Sequence, residues 1–123
     1  MKNFFYLPAL ILLASCYQQH RDCTDFRTGK FRFEDEINGV KKVSEFERTE
    51  ELQVETFEGK VDSSTVRWLN DCEFVLQKIN PKNMEEQKAV HMKILSTTEK
   101  TYTFEYSFVG SNDKRKGTVT KIN

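Results

Sequence analysis

Short segments of alternating apolar and polar residues, separated by turn signals, constrain the fold of this chain more than any other feature. The segment 102–108 places four aromatic residues on one face at period two, which indicates a half-buried strand. Asn38-Gly39 is a strong hairpin signal, because both residues tolerate the positive φ that a type I′ turn requires. The same reasoning predicts eight strands in all: 28–34, 40–48, 52–57, 61–69, 72–79, 90–94, 102–108 and 117–122.

These strands follow one another through short turns, and a short helical turn is predicted over 82–89. Repeated hairpins at this spacing predict an all-β domain over 25–123, built as an antiparallel up-and-down meander of about eight strands. Eight strands are enough to close a barrel, which removes the exposed sheet edges. A curved open sheet is the alternative.

The sequence does not determine the register of one hairpin. Phe74 and Leu76 favour one face of the strand 72–79, whereas Val75 and Ile79 favour the other. Since a slip of one residue exchanges the two faces, the pattern alone does not say which set is buried.

The N-terminal segment predicts a secretory signal. Lys2 precedes an apolar run over 4–14 that is too short to cross a bilayer, which needs about 20 residues. Leu13-Ala14-Ser15-Cys16 resembles the bacterial lipobox. That resemblance implies that 1–15 is a signal peptide removed by cleavage and that Cys16 becomes a lipid-modified N-terminus. An ordinary secretory signal, or the first helix of a soluble core, is the alternative.

The membrane is then a predicted partner of the protein. Lipid on Cys16 would anchor the chain to it without any segment spanning the bilayer. The polar segment 16–24 is then a tether to the domain. Tyr17 is not the Asp that resembles an inner-membrane retention signal, and no acidic run follows that resembles a surface-export signal. We therefore expect a bacterial envelope location on the outer membrane, facing the periplasm, with the cell surface as second choice.

The charge balance argues against a nucleic-acid partner. The chain carries 19 Lys and Arg against 19 Asp and Glu, so it has no basic excess to hold a phosphate backbone. The five glycines are scattered at turns and form no phosphate-cradling loop. We expect no nucleic acid and no cofactor.

Two cysteines remain once Cys16 is assigned to lipid. Cys23 and Cys72 are an even pair in a compartment that permits disulfides, and a bridge between them is favoured over two free thiols. A metal site is not expected, because His20 and His91 lie far apart and neither has a ligand at metal-binding spacing.

Several stretches resemble small bacterial envelope lipoproteins with a lipocalin-like β-barrel. They are Asp-Phe-Arg-Thr-Gly-Lys-Phe-Arg-Phe at 25–33, Arg-Thr-Glu-Glu-Leu-Gln at 48–53, Trp-Leu-Asn-Asp-Cys-Glu-Phe at 68–74 and Arg-Lys-Gly-Thr-Val-Thr-Lys at 115–121. The resemblance is to a family without an assigned activity. It implies a lipocalin-like barrel, although 108 residues from Cys16 to Asn123 is short for a lipocalin. A small apolar ligand inside that barrel is the binding partner that we expect.

The candidate ligand-binding residues are three aromatics and two arginines. Tyr102, Phe104 and Tyr106 could line an apolar pocket, with phenolic hydroxyls to orient a ligand; a packed core strand is the alternative. Arg48 or Arg67 could clamp a carboxylate inside the barrel, whereas charged residues in alternating strands usually face water.

The function that this sequence predicts is therefore binding. The alternative is a module with a solid core that binds another protein or an envelope component. Catalysis is not expected, because no strained elbow surrounds Ser63 or Ser64 and His91 stands alone in a strand. A hydrolase with an unrecognised site is the weakest alternative.

Overall fold

The computed structural model describes residues 21–123, which form a short 3-10 helix and eight β-strands. The predicted signal segment 1–15 and Cys16 lie outside the described residues. The helix, η1, spans Cys23–Phe26. The strands are β1 (Gly29–Ile37), β2 (Val40–Arg48), β3 (Leu52–Phe57), β4 (Lys60–Asn70), β5 (Glu73–Lys78), β6 (Val90–Thr97), β7 (Thr101–Phe108) and β8 (Arg115–Lys121).

The strands pair antiparallel in sequence order, and β8 returns to pair with β1, which closes a barrel. The closing ladder joins Phe31 to Lys121 and Phe33 to Val119. The first and last strands are therefore not left as free edges. The all-β prediction is confirmed in its closed form, and the architecture is consistent with a lipocalin-like barrel. Between residues 21 and 123, no helix combines the length and apolar character needed to cross a bilayer.

Local turn chemistry explains two of the hairpins. Asn38 and Gly39 have φ values of 52° and 77°, the positive values predicted for this turn. Glu58 and Gly59 connect β3 to β4 in the same way, with φ values of 49° and 77°. These two turns help to set the registers of the β1–β2 and β3–β4 pairs.

The element bounds differ from prediction where the apolar alternation fades. β1 extends to Ile37 and β6 to Thr97, because their ladders with β2 and β7 continue past the last clearly alternating residues. Of the segment 82–89, predicted as a short helical turn, residues 84–87 form a hydrogen-bonded turn and the rest has no helix. Within it, the Lys88 N–H donates to the Glu85 carbonyl at 3.1 Å.

A cluster of buried residues lies at one end of the barrel, which we call the closed end. There η1 packs across the strand ends, and its Cys23 and Phe26 join a buried cluster that includes Phe31 and Tyr102. The structure also settles the open register, because Phe74 faces inward and is fully buried. The β1–β2, β3–β4, β5–β6 and β7–β8 connections all lie at the opposite end, which we call the open end.

A disulfide fastens η1 to the closed end. The Cys23 and Cys72 sulfurs lie 2.05 Å apart, so the predicted bridge is present. Cys72 sits in the turn between β4 and β5. Cys23 and Thr24, which the sequence places in the tether, belong to η1 and thus to the domain.

Candidate functional site

A cavity of about 320 Å³ runs from the open end of the barrel down to Arg48 and Gln53. Its wall is mainly apolar: Phe33, Phe46, Phe57, Leu76, Met92, Phe104 and Val119 line it. A neighbouring hollow of about 300 Å³ lies against the 79–89 connection and shares Gln53, Glu55 and Leu76 with the cavity. Small-molecule sites typically measure about 300–1,000 Å³, so the barrel has room for a small ligand.

The predicted aromatic residues of β7 line this cavity. Tyr102 and Phe104 are buried and Tyr106 is half-buried, and all three contribute to its wall. Their rings also pack in sequence, with centroid distances of 5.9 Å from Tyr102 to Phe104 and 5.5 Å from Phe104 to Tyr106. The row therefore serves as core at the closed end and as cavity wall towards the open end.

One glycine makes this packing possible. In β8, Gly117 faces inward, and a Cβ there would lie 2.8 Å from Phe104 Cζ and 2.9 Å from Phe33 Cε2. The two rings, whose centroids are 5.8 Å apart, therefore occupy the space that a side chain at 117 would take. A cross-strand aromatic covering a strand glycine is a known device of β-sheets.

Arg48 ends β2 and lies at the bottom of the cavity, with 1% of its surface exposed. Its Nε donates to the Arg27 carbonyl at 3.1 Å, and Nη2 donates to the Phe26 carbonyl at 2.6 Å. Nη1 donates to Gln53 Oε1 at 3.1 Å, and both terminal nitrogens lie 3.3 Å from the Tyr102 hydroxyl. Since a guanidinium has five N–H donors, each one has a protein acceptor.

The positive charge of Arg48 is stabilised by π-systems and neutral oxygens. Its guanidinium carbon lies 4.6 Å from the ring centroids of both Phe31 and Phe74. No carboxylate of the described chain lies within 4.0 Å of it. Arg48 thus connects η1, β2, β3 and β7 and helps to close the barrel end.

Burial and the nearby Arg48 shift the pKa of the Tyr102 hydroxyl in opposite directions. Desolvation is the larger effect and raises the pKa of Tyr102 above 10.0, while the positive charge of Arg48 and its hydrogen bond lower it. Tyr102 therefore stays a neutral phenol at the bottom of the cavity.

Arg67, the other predicted arginine, lies elsewhere. It is exposed on β4, between Val66, which faces inward and is buried, and Trp68. Alternation along the strand puts Arg67 on the outer face of the barrel, away from the cavity.

Glu55 is a cavity residue that the sequence did not place among the ligand-binding candidates, because the acidic cluster to which it belongs predicts a solvated face. It follows Gln53 and precedes Phe57 on the inner face of β3, and it lines both the cavity and the hollow. Burial raises the pKa of its carboxyl, a shift that Lys78 opposes and Asp62 reinforces. Period-two alternation could have identified it, because alternate residues of a strand share a face and Glu55 lies between Gln53 and Phe57 in that series.

The residue types of a hydrolytic site do not converge in the described chain. Ser64 lines the hollow, whereas His91 lies on the outer face, where its Nε2 is 3.1 Å from Glu73 Oε1. Among residues 21–123, no three His, Cys, Asp or Glu side chains form a metal-binding group.

Comparisons with known proteins add no relative. No protein-family model matched the chain, no curated protein was significantly similar to it, and no solved structure matched it.

Proposed function

We propose that this protein is a lipid-anchored envelope lipoprotein that binds a small apolar ligand in the cavity of its barrel. The observation that carries the proposal is the apolar-walled cavity of about 320 Å³ that leads inward from the open end. A chain whose role was only to present a rigid outer surface would gain stability from filling that space. Binding, not catalysis, is the proposed activity.

The position of η1 adds an orientation to the anchoring proposal. The tether from Cys16 to Asp22 reaches about 20 Å when extended, and Asp22 lies at the closed end, where its N–H donates to Thr97 Oγ1 at 2.8 Å. Strands such as β1 and β2 have nine residues, a length of about 30 Å. Lipid on Cys16 would therefore hold the closed end near the membrane and point the cavity mouth away from it.

Lipid attachment is tested by mass spectrometry of the membrane fraction. The wild-type protein should yield an N-terminal peptide that begins at Cys16 and carries acyl chains, because the Cys16 thiol becomes the thioether. The Cys16→Ser variant should lack that mass and leave the membrane fraction. Recovery of an acyl-free Cys16 peptide from wild-type membranes would rule out the anchor.

Ligand binding is tested by filling the cavity. Leu76→Trp adds ring volume to the wall shared by the cavity and the hollow, so it should lower the affinity for a neutral apolar fluorophore, N-phenyl-1-naphthylamine, by about tenfold or more. Leu69→Trp is the matched control, because Leu69 is exposed on β4, and its affinity should equal that of the wild type. Ser44→Leu is a second, milder filling variant in case Leu76→Trp does not fold.

Fluorescence titration measures these affinities, with excitation above the tryptophan absorption band. Equal affinities for the wild type, Leu76→Trp and Ser44→Leu would show that the fluorophore binds outside the cavity and would contradict the proposal. Circular dichroism of each variant confirms that the barrel is intact before it is titrated.

An interaction module is the second candidate, and exposed apolar residues at the open end favour it. These residues lie at or beside the strand connections: Ile37, Val40, Val61, Ile79, Met84 and Val109. A contiguous patch of exposed apolar residues is typical of docking sites. In the fluorophore titration, this candidate predicts loss of binding in Val40→Ser and Val61→Ser and no effect of Leu76→Trp.

A further inference from the structure

Glu55 places a carboxylate in the wall of the cavity. In the ladders of β3, it pairs with Phe46 of β2 and with Asp62 of β4, so its side chain shares their inward face. Within the described chain, its oxygens accept no hydrogen bond and have no cation within 4.0 Å. A half-buried carboxylate without a donor is unfavourable, and a ligand with N–H donors would supply what the protein side chains do not.

The cations near the cavity are already engaged by other groups. Lys42 Nζ pairs with Glu58 Oε1. Lys78 Nζ lies 3.1 Å from Glu86 Oε1 and 3.8 Å from Asp62 Oδ2. A lysine that moved to Glu55 would have to leave a carboxylate partner, so these contacts leave Glu55 available to a ligand.

Two further cationic residues, Lys88 and Arg48, line the hollow and the cavity. Lys88 is exposed and lies 5.5 Å from the Phe108 ring centroid, at the rim of the hollow. Arg48 has a protein acceptor for each N–H, as described above, and 1% of its surface is exposed. A ligand carboxylate would therefore have to displace Gln53 or Tyr102 to reach the guanidinium.

Carboxylates are in excess along the same walls. Besides Glu55, the cavity and hollow are lined by Asp35, Asp62, Glu85 and Glu86. The Asp35 carboxylate accepts the Glu36 N–H at 2.8 Å and is exposed near the mouth. The lining of the cavity is balanced, with Asp35 and Glu55 against Lys42 and Arg48, whereas the hollow has four carboxylates against Lys78 and Lys88. The local attraction for a cation is therefore on the hollow side of Glu55.

Aromatic rings beside Glu55 also favour a cation. Phe46 lies directly across the β2–β3 ladder, and Phe57 is two residues along β3 on the same face. An ammonium next to these rings would be stabilised by their π-faces as well as by the carboxylate. Tyr106, on the opposite wall, adds a ring and a neutral hydroxyl.

We infer that the ligand is an apolar molecule bearing a protonated amine, with its ammonium held by the Glu55 carboxylate and its hydrocarbon part in the apolar cavity. This inference rests on the proposed ligand-binding function and adds to it the chemical class of the ligand. A fatty-acid-like ligand clamped by Arg48 is the opposite assignment, and the two differ in the sign of the headgroup charge.

Three probes with the same apolar body separate these assignments: octylammonium, 1-octanol and octanoate. Titration calorimetry on the full chain at pH 7 should show octylammonium binding about tenfold more tightly than 1-octanol, since charge-assisted hydrogen bonds are stronger than neutral ones. Octanoate should bind most weakly. Failure of all three to bind would overturn the proposed function itself, whereas octanol binding without an ammonium preference would overturn only this inference.

Glu55→Gln is the decisive variant, because it keeps the shape of the wall and removes the charge. It should lower the octylammonium affinity to that of 1-octanol and leave 1-octanol binding unchanged. Glu47→Gln on the outer face of β2 is the matched control and should bind octylammonium like the wild type. An ammonium preference that survives in Glu55→Gln, or octanoate binding more tightly than octylammonium, would overturn the inference.

The pH dependence gives an independent readout. Burial raises the pKa of Glu55 above 4.5, so acidification protonates it before an ordinary glutamate. Octylammonium affinity should therefore fall as the pH drops towards the raised pKa, while 1-octanol affinity should not. Because Asp35, Asp62, Glu85 and Glu86 also line the cavity and hollow, the fall must be absent in Glu55→Gln; a fall that persists there would contradict the assignment.

Discussion

Arg48→Ala should lower the free energy of unfolding by about 4 kcal/mol, because it leaves buried acceptors without donors and opens space in the core. The Phe26 carbonyl loses its 2.6 Å hydrogen bond, and Gln53 Oε1 and the Tyr102 hydroxyl lose theirs. The rings of Phe31 and Phe74, each 4.6 Å from the guanidinium, lose the group that lies next to them. Urea denaturation monitored by circular dichroism measures the change.

Arg67→Ala is the matched control for that measurement. It removes the same side chain from an exposed position on β4, so it should change the free energy of unfolding by less than about 0.5 kcal/mol. Equal, small effects of the two substitutions would show that Arg48 does not connect η1 to the barrel. Arg48→Lys keeps the charge but loses the planar set of donors, and we expect it to recover only part of the lost stability.

Removing the disulfide should cost about as much. Cys23 and Cys72 are 49 residues apart in sequence, and a bridge closing a loop of that length contributes about 4 kcal/mol in the chain-entropy model. The double variant Cys23→Ala/Cys72→Ala should therefore unfold at a markedly lower urea concentration. The loss of stability should be greatest at the closed end, because the bridge fastens η1 there.

Reduction provides the control for the disulfide prediction. Dithiothreitol should lower the unfolding midpoint of the wild type towards that of the double variant and should not change the midpoint of the variant. A double variant that unfolds at the wild-type urea concentration would show that packing of Phe26 and the hydrogen bonds of Arg48 hold η1 without the bridge.

The elements of the fold followed from local chemistry. β2 and β3 have the predicted bounds, and Asn38-Gly39 forms the predicted turn, because these features depend on neighbouring residues and on period-two alternation. Barrel closure was predicted together with an open sheet, because the β1–β8 ladder joins residues almost a chain length apart.

The site was harder to predict, because it depends on which face of each strand is buried. On β2, Arg48 is two residues from Phe46 and therefore lies on the same face of the strand. A charged strand residue usually faces water, however, so alternation alone did not predict that Arg48 is buried. Glu55 raised the same difficulty on β3. The cavity volume depends on how side chains from seven strands fit together, and neither composition nor spacing contains that information.

The central claim is that an apolar ligand enters the barrel, and amide chemical shifts test it most directly. A ¹H–¹⁵N correlation spectrum of the labelled protein titrated with 1-octanol should show saturable shifts at Ser44, Glu55 and Leu76, which line the cavity. The chemical shifts of outer-face amides, such as those of Glu47 and Arg67, should not change. Shifts confined to Val40 and Val61 at the open end, or no shift at saturating octanol, would contradict the account.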